Sequence, residues 1–211
     1  MALLELLLPP VCMACGLLLR RDRTPELCAT CRAQVTATGE AAPAAGAISA
    51  AFLYEGPLAL ALQRCKYGGD AALAGPLGRA LAAAPGWRCD RDGVAWTDVV
   101  AVPMHWRRRL RRGFDHARLL LRAACMQGGP RRRDSLRRVR HGAPQVELGA
   151  SARAGNLDDA FAVSMRTTWL GRRVLVVDDV TTTGATLHAA MAALRAAGVE
   201  ATAGLVLMRT A

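Results

Sequence analysis

The chain has 211 residues, and its 28 Lys and Arg against 17 Asp and Glu give a formal net charge of +11 at pH 7. Apolar residues make up 52 % of it, which excludes global disorder, and this length accommodates one α/β domain with a small appendage. Apolar runs fall short of the roughly 20 residues that span a bilayer, and the N-terminus lacks a basic leader. We therefore expect a cytoplasmic protein without a membrane span.

Four of the seven cysteines form two Cys-x-x-Cys pairs near the N-terminus, Cys12 with Cys15 and Cys28 with Cys31. Four thiolates in two such pairs suit a tetrahedral Zn²⁺ ion, and the site would be structural because no coordination position stays open. A redox Cys-x-x-Cys and unrelated thiols are the alternative interpretations. The remaining cysteines are predicted to be small buried apolar residues rather than disulfide partners: Cys65, Cys89 and Cys125.

Small residues interrupted by Gly and Pro predict a linker at 36–47, between a zinc-binding module at 1–35 and an α/β domain at 48–211. Beyond the linker, the patterns predict a strand at 48–54, helices at 57–65 and 71–84, a strand at 98–102, a helix at 114–126, a polar and mobile stretch at 127–135, a weak strand at 136–139, a strand at 173–177, a helix at 184–197 and a strand at 200–208. Short apolar strands that alternate with helices favour a mostly parallel central sheet flanked by helices.

The strongest functional signal is the run VLVVDDVTTTGAT at 174–186. Four apolar residues predict a central strand, and Asp178 and Asp179 follow at its carboxyl end, where open α/β sheets bind ligands. The Thr- and Gly-rich loop then opens a helix, so hydroxyls, backbone N–H groups and a helix N-terminus can converge on a phosphate. Acids beside such a loop fit a ribose 5-phosphate, whose hydroxyls and Mg²⁺ the carboxylates would take.

Other interpretations of this run are possible. A Walker B strand also ends in acids, but it requires a GxxxxGK[ST] loop, and the only lysine of the chain, Lys66, is followed by Tyr67. A receiver-type acidic pocket would lack the Thr-Gly loop directly after the acids, and a purely structural turn is a third interpretation. We interpret Lys66 itself as a compact cation that binds a phosphate. The alternative interpretation is an exposed lysine without a special role.

Positive charge is concentrated in residues 97–141, which hold 13 Arg and three acids, or +10 of the net +11. Such a block predicts a phosphate-rich ligand or nucleic acid, with a solvated arginine-rich surface as the alternative. Trp106 and Phe114 lie among these arginines, and arginine with aromatic residues suits single-stranded DNA.

Taken together, these motifs resemble the ComF family, which includes competence proteins and GntX-like proteins. The resemblance covers nearly the whole chain as an ordered set: the double Cys-x-x-Cys, CKYGGD at 65–70, VPMH at 102–105, RGFDH at 112–116, PQ at 144–145, Arg153 with Asn156, AF at 160–161, and the run at 174–186, which looks like a phosphoribosyl pyrophosphate (PRPP) signature. The resemblance implies a type I phosphoribosyltransferase-like α/β fold with a small N-terminal zinc-binding module built on the four cysteines.

By this resemblance, Asp178 and Asp179 are the catalytic pair, which would hold the ribose hydroxyls directly or through Mg²⁺. The residues implied to bind PRPP or its phosphates are Thr181, Thr182, Thr183, Gly184, Ala185, Thr186, Lys66, Pro103, Arg112, Arg138 and Arg140. The implied activity is phosphoribosyl transfer to an unknown acceptor, in the service of DNA uptake and natural transformation. A non-catalytic adaptor for single-stranded DNA and a PRPP-sensing regulator are alternatives, and competence or DNA-processing proteins are possible partners.

Two positions depart from the family pattern. The family commonly has Gly-Phe-Asn-Gln where this chain has Gly113-Phe114-Asp115-His116, and an apolar residue where this chain has Thr181. The first change puts in doubt any role borrowed from the Asn-Gln pair. We therefore interpret His116 as a polar residue on a helix surface rather than as a catalyst.

Overall fold

A computed structural model of the chain describes residues 10–19, 27–104, 110, 113–139, 160–164 and 168–210. Its strands, in chain order, are β1 (Ile48–Leu53), β2 (Asp98–Ala101), β3 (Arg131–Arg133), β4 (Leu136–Arg138), β5 (Phe161–Val163), β6 (Arg173–Thr181) and β7 (Ala201–Arg209). Its helices are α1 (Ala29–Ala33), α2 (Gly56–Tyr67), α3 (Ala74–Ala82), α4 (His116–Cys125) and α5 (Ala185–Ala196), with a 3₁₀ turn at Ala71–Leu73. None of these helices is long and apolar enough to cross a bilayer.

The strands β1, β7, β6, β2 and β3 form, in this order, a parallel sheet, while β4 and β5 form a separate antiparallel pair. From β2 the chain proceeds to β3 on one side, and from β6 it proceeds to β7 on the other. The sheet therefore has a switch point between β2 and β6, and open parallel sheets bind ligands beyond the carboxyl ends of the strands at such a point. This confirms the predicted mostly parallel sheet flanked by helices.

Helices cover both faces of the sheet, which explains why β6 begins as an uninterrupted apolar run. Leu175 and Val177 of β6 belong to the core shared with α2, α3 and α4. Val174 and Val176 alternate with them and belong to the core shared with α5. Because both faces are buried, the strand shows none of the apolar-polar alternation of a half-exposed strand.

The helices α3 and α4 approach each other closely at Gly78. A Cβ atom at this position would lie 2.4 Å from the carbonyl oxygen of Leu120 and 2.6 Å from the Cβ of Ala123. Backbone atoms cannot yield to such a contact without a shift of the helix. A glycine is therefore required in α3 for packing rather than for backbone conformation.

We expect Gly78→Ala to lower the free energy of unfolding by about 2 kcal/mol, because the added methyl group forces α3 away from α4. Urea unfolding followed by circular dichroism measures this change. Gly75→Ala is the matched control on the same helix, since its Cβ would meet only the Arg79 side chain at 3.8 Å. The control is expected to be neutral or slightly stabilising because alanine favours helix; equal losses in both variants would contradict the close-packing argument.

The polar stretch predicted to be mobile, 127–135, is partly ordered, and that prediction is wrong. Its residues 131–133 form β3, which pairs in parallel with β2 in the register Asp98–Arg131 to Val100–Arg133. The Nε of Arg133 donates to Oδ1 of the fully buried Asp98 at 2.6 Å. An edge strand needs no apolar alternation when an ion pair anchors it, so hydropathy patterning could not reveal β3.

Part of the predicted linker lies along the edge strand β1. The backbone N–H of Thr38 donates to the carbonyl of Ala51 at 3.1 Å. Glu40 accepts from the backbone N–H of Ala50 and from Arg209, each at 2.8 Å. These contacts cover the outer edge of the sheet; the division of the chain at 35 and 47 stays a prediction.

Candidate functional site

A cavity of about 240 Å³ opens at the carboxyl ends of β2 and β6, at the switch point of the sheet. Its wall combines residues from β6, the loop after β2, α2, α4, α5 and β4. Six of the residues selected from the sequence line it: Lys66, Pro103, Arg138, Asp178, Asp179 and Thr186. The fold thus gathers residues separated by up to 120 positions around one opening.

Asp179 is the most constrained acid of the site. The residue as a whole is 4 % exposed, and Oδ1 accepts from the Nζ of Lys66 at 2.7 Å. Its Oδ2 is in contact with Nε2 of His116. The structure therefore places the one lysine of the chain on a carboxylate at the cavity wall, and its expected role at a phosphate stays a prediction.

The two neighbouring acids have opposite pKa shifts in the ligand-free protein. Burial and the negative charge of Asp179 raise the pKa of Asp178 well above its ordinary value of 3.8. Burial acts in the same direction on Asp179, but the hydrogen bond with His116 and the charge of Lys66 outweigh it and lower the pKa of that carboxyl group. Asp179 is therefore stabilised as a carboxylate, whereas Asp178 resists ionisation.

The interpretation of His116 as a surface residue is wrong. His116 is 8 % exposed, lines the cavity and contacts Asp179. A signal for this was present in the sequence, because Leu120 and Ala124 follow His116 at helical spacing and both are buried on the same face of α4. Asp115, the other departure from the family pattern, caps α4 by accepting from the backbone N–H of Arg118 at 3.2 Å.

The Thr-Gly loop joins β6 to α5 in a tight turn. Thr181 is buried, and its Oγ1 accepts from the backbone N–H of Gly184 at 2.9 Å. Thr183 accepts from the N–H of Ala185 at 3.4 Å, and Thr182 and Thr183 are exposed. The hydroxyl of Thr181 thus serves the turn itself rather than the cavity, and Thr186 lines the cavity.

Gly184 stands at the N-cap of α5 with φ +77°, in the left-handed region. A Cβ atom there would lie 2.9 Å from Cδ1 of Ile48. Since glycine has no side chain, nothing from this position covers the helix N-terminus, whose N–H groups and dipole attract anions.

We expect Gly184→Ala to lower the free energy of unfolding by about 1–2 kcal/mol through left-handed strain, and to disturb the loop in addition. The control is Gly198→Ala at the other end of α5, where φ is also positive (+92°) and a Cβ would meet nothing within 4 Å. Chemical denaturation should show a loss in both variants, whereas ligand titration should show a loss only in Gly184→Ala. Unchanged titration in both variants would contradict a role of this loop in binding.

Among the other selected residues, Arg138 of β4 lies over the Phe161 ring, 5.6 Å from its centroid, beside the cavity. Several positions named above lie outside the described residues: Arg112, Arg140, Trp106, Arg153, Asn156, His105 and the pair at 144–145. Whether the basic segment contributes further groups to the cavity therefore stays a prediction.

The four N-terminal cysteines form a cluster that can hold a metal ion. Their Sγ atoms all lie within 4.8 Å of one another, and those of Cys15 and Cys28 are 3.8 Å apart. Tetrahedral coordination with Zn–S bonds of about 2.3 Å requires S–S separations of about 3.8 Å, so the cluster fits zinc. Burial opposes ionisation of Cys12, but backbone N–H groups of Cys15 and Cys28 outweigh it and lower the pKa of this thiol to about 6.

The cysteine cluster is attached to the helix that carries Lys66. Arg64 of α2 donates to the carbonyl oxygens of Met13 and Ala14, at 3.1 and 3.3 Å, in the turn between Cys12 and Cys15. The Met13 side chain, 5 % exposed, inserts into the core formed with α2, α3 and α4. The segment that carries the four cysteines therefore packs against the α/β domain.

Comparisons with known proteins agree with this architecture. Residues 111–210 match the phosphoribosyl transferase domain family. Over 104 residues, 48 % of this chain, the sequence is 36 % identical to Competence protein F of Haemophilus influenzae, of which the match covers 45 %. Over 140 residues, 64 % of this chain, it is 31 % identical to DNA utilization protein YhgH of Escherichia coli O157:H7 and 30 % identical to that of Shigella flexneri. The matches span about half of the former relative and 59 % of the latter two.

Proposed function

We propose that this chain, which resembles Competence protein F and matches the phosphoribosyl transferase domain family over residues 111–210, is a ComF-like protein. We further propose that it binds PRPP or a related ribose 5-phosphate, together with Mg²⁺, in the cavity between β2 and β6. One observation carries the proposal: two adjacent acids and the open N-terminus of α5 meet at the same cavity. Carboxylates accept from sugar hydroxyls, and a helix N-terminus attracts a phosphate. A 5-phosphorylated ribose presents both groups at one end and suits this arrangement.

Mg²⁺ fits the donor set of this site. Magnesium is typically held by one or two carboxylates together with substrate phosphates and waters, and Asp178 and Asp179 offer such carboxylates at the cavity wall. When bound, the ion would neutralise negative charge on the pyrophosphate group of PRPP. The other cations of the wall, Lys66 and Arg138, lie where they add to the positive potential around an anionic ligand.

We further propose that binding prepares transfer of the phosphoribosyl group. The bond from the anomeric carbon to pyrophosphate would break with its electron pair moving to the pyrophosphate oxygen, while an acceptor atom bonds to the same carbon. The protein would contribute position and electrostatic stabilisation rather than covalent chemistry. The acceptor is not identified, so binding and turnover require separate measurements.

The names of the relatives suggest the cellular setting. One is a competence protein and the others are DNA utilization proteins. We propose that this chain serves DNA uptake in the cytoplasm, with zinc in its cysteine cluster and with competence or DNA-processing proteins as partners.

A second candidate is a single-stranded-DNA adaptor or PRPP-responsive regulator that uses residues 97–141. Arg131 and Arg137 are exposed in β3 and β4 and favour it, whereas Arg132 is paired with Asp134 and Arg133 with Asp98. Because phosphate contacts release counterions, DNA binding through this segment should weaken steeply as salt rises. A flat salt response would exclude the DNA adaptor, and capture of a partner that PRPP does not affect would count against the regulator.

Calorimetric titration of the zinc-loaded protein with PRPP, in the presence and absence of Mg²⁺, tests the proposed function. We expect micromolar binding that depends on Mg²⁺, and weaker binding of ribose 5-phosphate alone. A folded protein that shows no heat of binding with PRPP would overturn the proposal. Pyrophosphate release in the presence of candidate acceptors then tests turnover.

A further inference from the structure

The two carboxylates at the cavity have different neighbours. Both oxygens of Asp179 are engaged by cationic or hydrogen-bonding side chains, Oδ1 by Lys66 at 2.7 Å and Oδ2 by His116. Asp178 lines the same cavity, and its Oδ1 accepts from the backbone N–H of Asp179 at 2.8 Å. Asp178 is therefore more available to a ligand in the cavity than Asp179, whose two oxygens already contact side chains.

The contacts of Asp179 join three separate elements of the cavity wall. Asp179 belongs to β6, Lys66 to the last turn of α2 and His116 to the first turn of α4. The side chains are nearly buried, with 6 % of Asp179, 12 % of Lys66 and 10 % of His116 exposed. A buried carboxylate is retained only when it is paired, so these two partners determine where Asp179 points.

We propose that Lys66 and His116 form a clamp on Asp179, and that Asp178 is the carboxylate that meets the ribose hydroxyls and the cation. The clamp keeps α2 and α4 in place around β6 and holds Asp179 as a fixed acceptor beside Asp178. His116 and Lys66 are then positioning residues, which act on the ligand through Asp179. This inference rests on the proposed function, because it divides the roles within the same site.

Substitutions of His116 separate a positioning role from direct contact with the ligand. His116→Leu removes the donor to Asp179 and is expected to weaken binding of PRPP with Mg²⁺ about tenfold, whereas His116→Gln keeps an N–H donor and should restore binding to within about threefold of the wild type. Arg122→Gln, on the exposed face of α4, is the control for the change of side chain on this helix. Equal losses in His116→Leu and His116→Gln would overturn the clamp.

A double-mutant cycle gives the decisive measurement. If His116 acts through Asp179, then His116→Leu combined with Asp179→Asn should bind PRPP no more weakly than Asp179→Asn alone. If the double variant loses as much affinity as the two single losses multiplied together, His116 contacts the ligand itself, and the inference is contradicted. Asp178→Asn should weaken binding at least about tenfold more than Asp179→Asn; the reverse order would also contradict it.

The same cycle in urea, without ligand, distinguishes failure of the clamp from failure of the proposed function. The clamp requires that His116→Leu and Asp179→Asn are non-additive in the unfolding midpoint. If the wild type does not bind PRPP but this coupling is present, the proposed function fails and the clamp stands as a feature of the site. Additive midpoints would overturn the clamp whatever the ligand.

Discussion

The variant Asp178→Asn/Asp179→Asn is expected to bind PRPP with Mg²⁺ more than about a hundredfold less tightly than the wild type, a loss of about 2.7 kcal/mol in binding free energy. The negative charge of Asp178 that would face the cation disappears, and so does the anion that Lys66 and His116 hold beside it, while the volume of each side chain is kept. Calorimetric titration measures the loss. Circular dichroism must show that the variant is folded, and binding within about tenfold of the wild type would contradict the assignment of these acids to the site.

The single substitutions are expected to have opposite effects on the stability of the ligand-free, magnesium-free protein. The pKa of Asp178 is raised in the folded state, so its ionisation opposes folding once the pH rises above the ordinary value of 3.8. Asp178→Asn should therefore raise the midpoint of thermal unfolding at pH 7, and the gain should shrink as the pH falls towards 4. Wild-type stability at or above that of Asp178→Asn at pH 7 would contradict this.

For Asp179 the sign is reversed. Its pKa is lowered in the folded state, so the carboxylate contributes stability above its ordinary pKa, and this contribution is lost as the pH falls through the lowered value. Asp179→Asn also leaves Lys66 and His116 without their buried anion. Asp179→Asn should therefore lower the thermal midpoint at pH 7, in contrast to Asp178→Asn.

Removal of the metal from the cysteine cluster, by a chelator or by Cys31→Ser, is expected to lower the thermal midpoint by about 10 °C or more. Without the metal, the three buried thiols Cys12, Cys28 and Cys31 would lose the cation that neutralises them. The segment that carries the cysteines is too small to be stabilised by a hydrophobic core of its own. Its collapse would also withdraw Met13 from the main core and release Arg64 of α2.

Zinc content by plasma emission spectrometry and thermal unfolding by circular dichroism check this expectation. Wild-type protein should hold one zinc ion per chain, and Cys31→Ser should hold less. Cys89→Ser is the matched control, because Cys89 is half-buried and does not belong to the cluster. Equal zinc contents in Cys31→Ser and wild type would contradict a four-thiolate site.

Most elements of the sheet were predictable because each carries a local signal. The strands at 48–54, 98–102 and 173–177 correspond to β1, β2 and β6, and the structure extends β6 to Thr181 because it pairs with β7 along that length. The helix expected at 71–84 is a 3₁₀ turn followed by α3. Cys65 is buried as expected, whereas Cys89 and Cys125 are half-buried.

What could not be predicted are pairings between distant residues. β3 is a strand of three arginines. It forms because its backbone pairs with β2 and because Arg133 donates to Asp98. Its rarity in the sequence predicts a special role for Lys66 but no partner, and only the packing of α2 against β6 brings it to Asp179, 113 residues away.

By itself the sequence determined the mostly parallel α/β fold, the cysteine cluster and the acid-rich end of β6, because apolar periodicity, Cys-x-x-Cys spacing and the DDVTTTGAT run are local patterns. The tertiary structure alone decided which groups face those acids. His116 enters the site because it lies on the buried face of α4, which packs in one core with β6. Asp178 differs from Asp179 because, among the described residues, Lys66 and His116 contact Asp179. Electrostatic environment depends on distance in space, and neighbouring positions in a sequence share a backbone without sharing that environment.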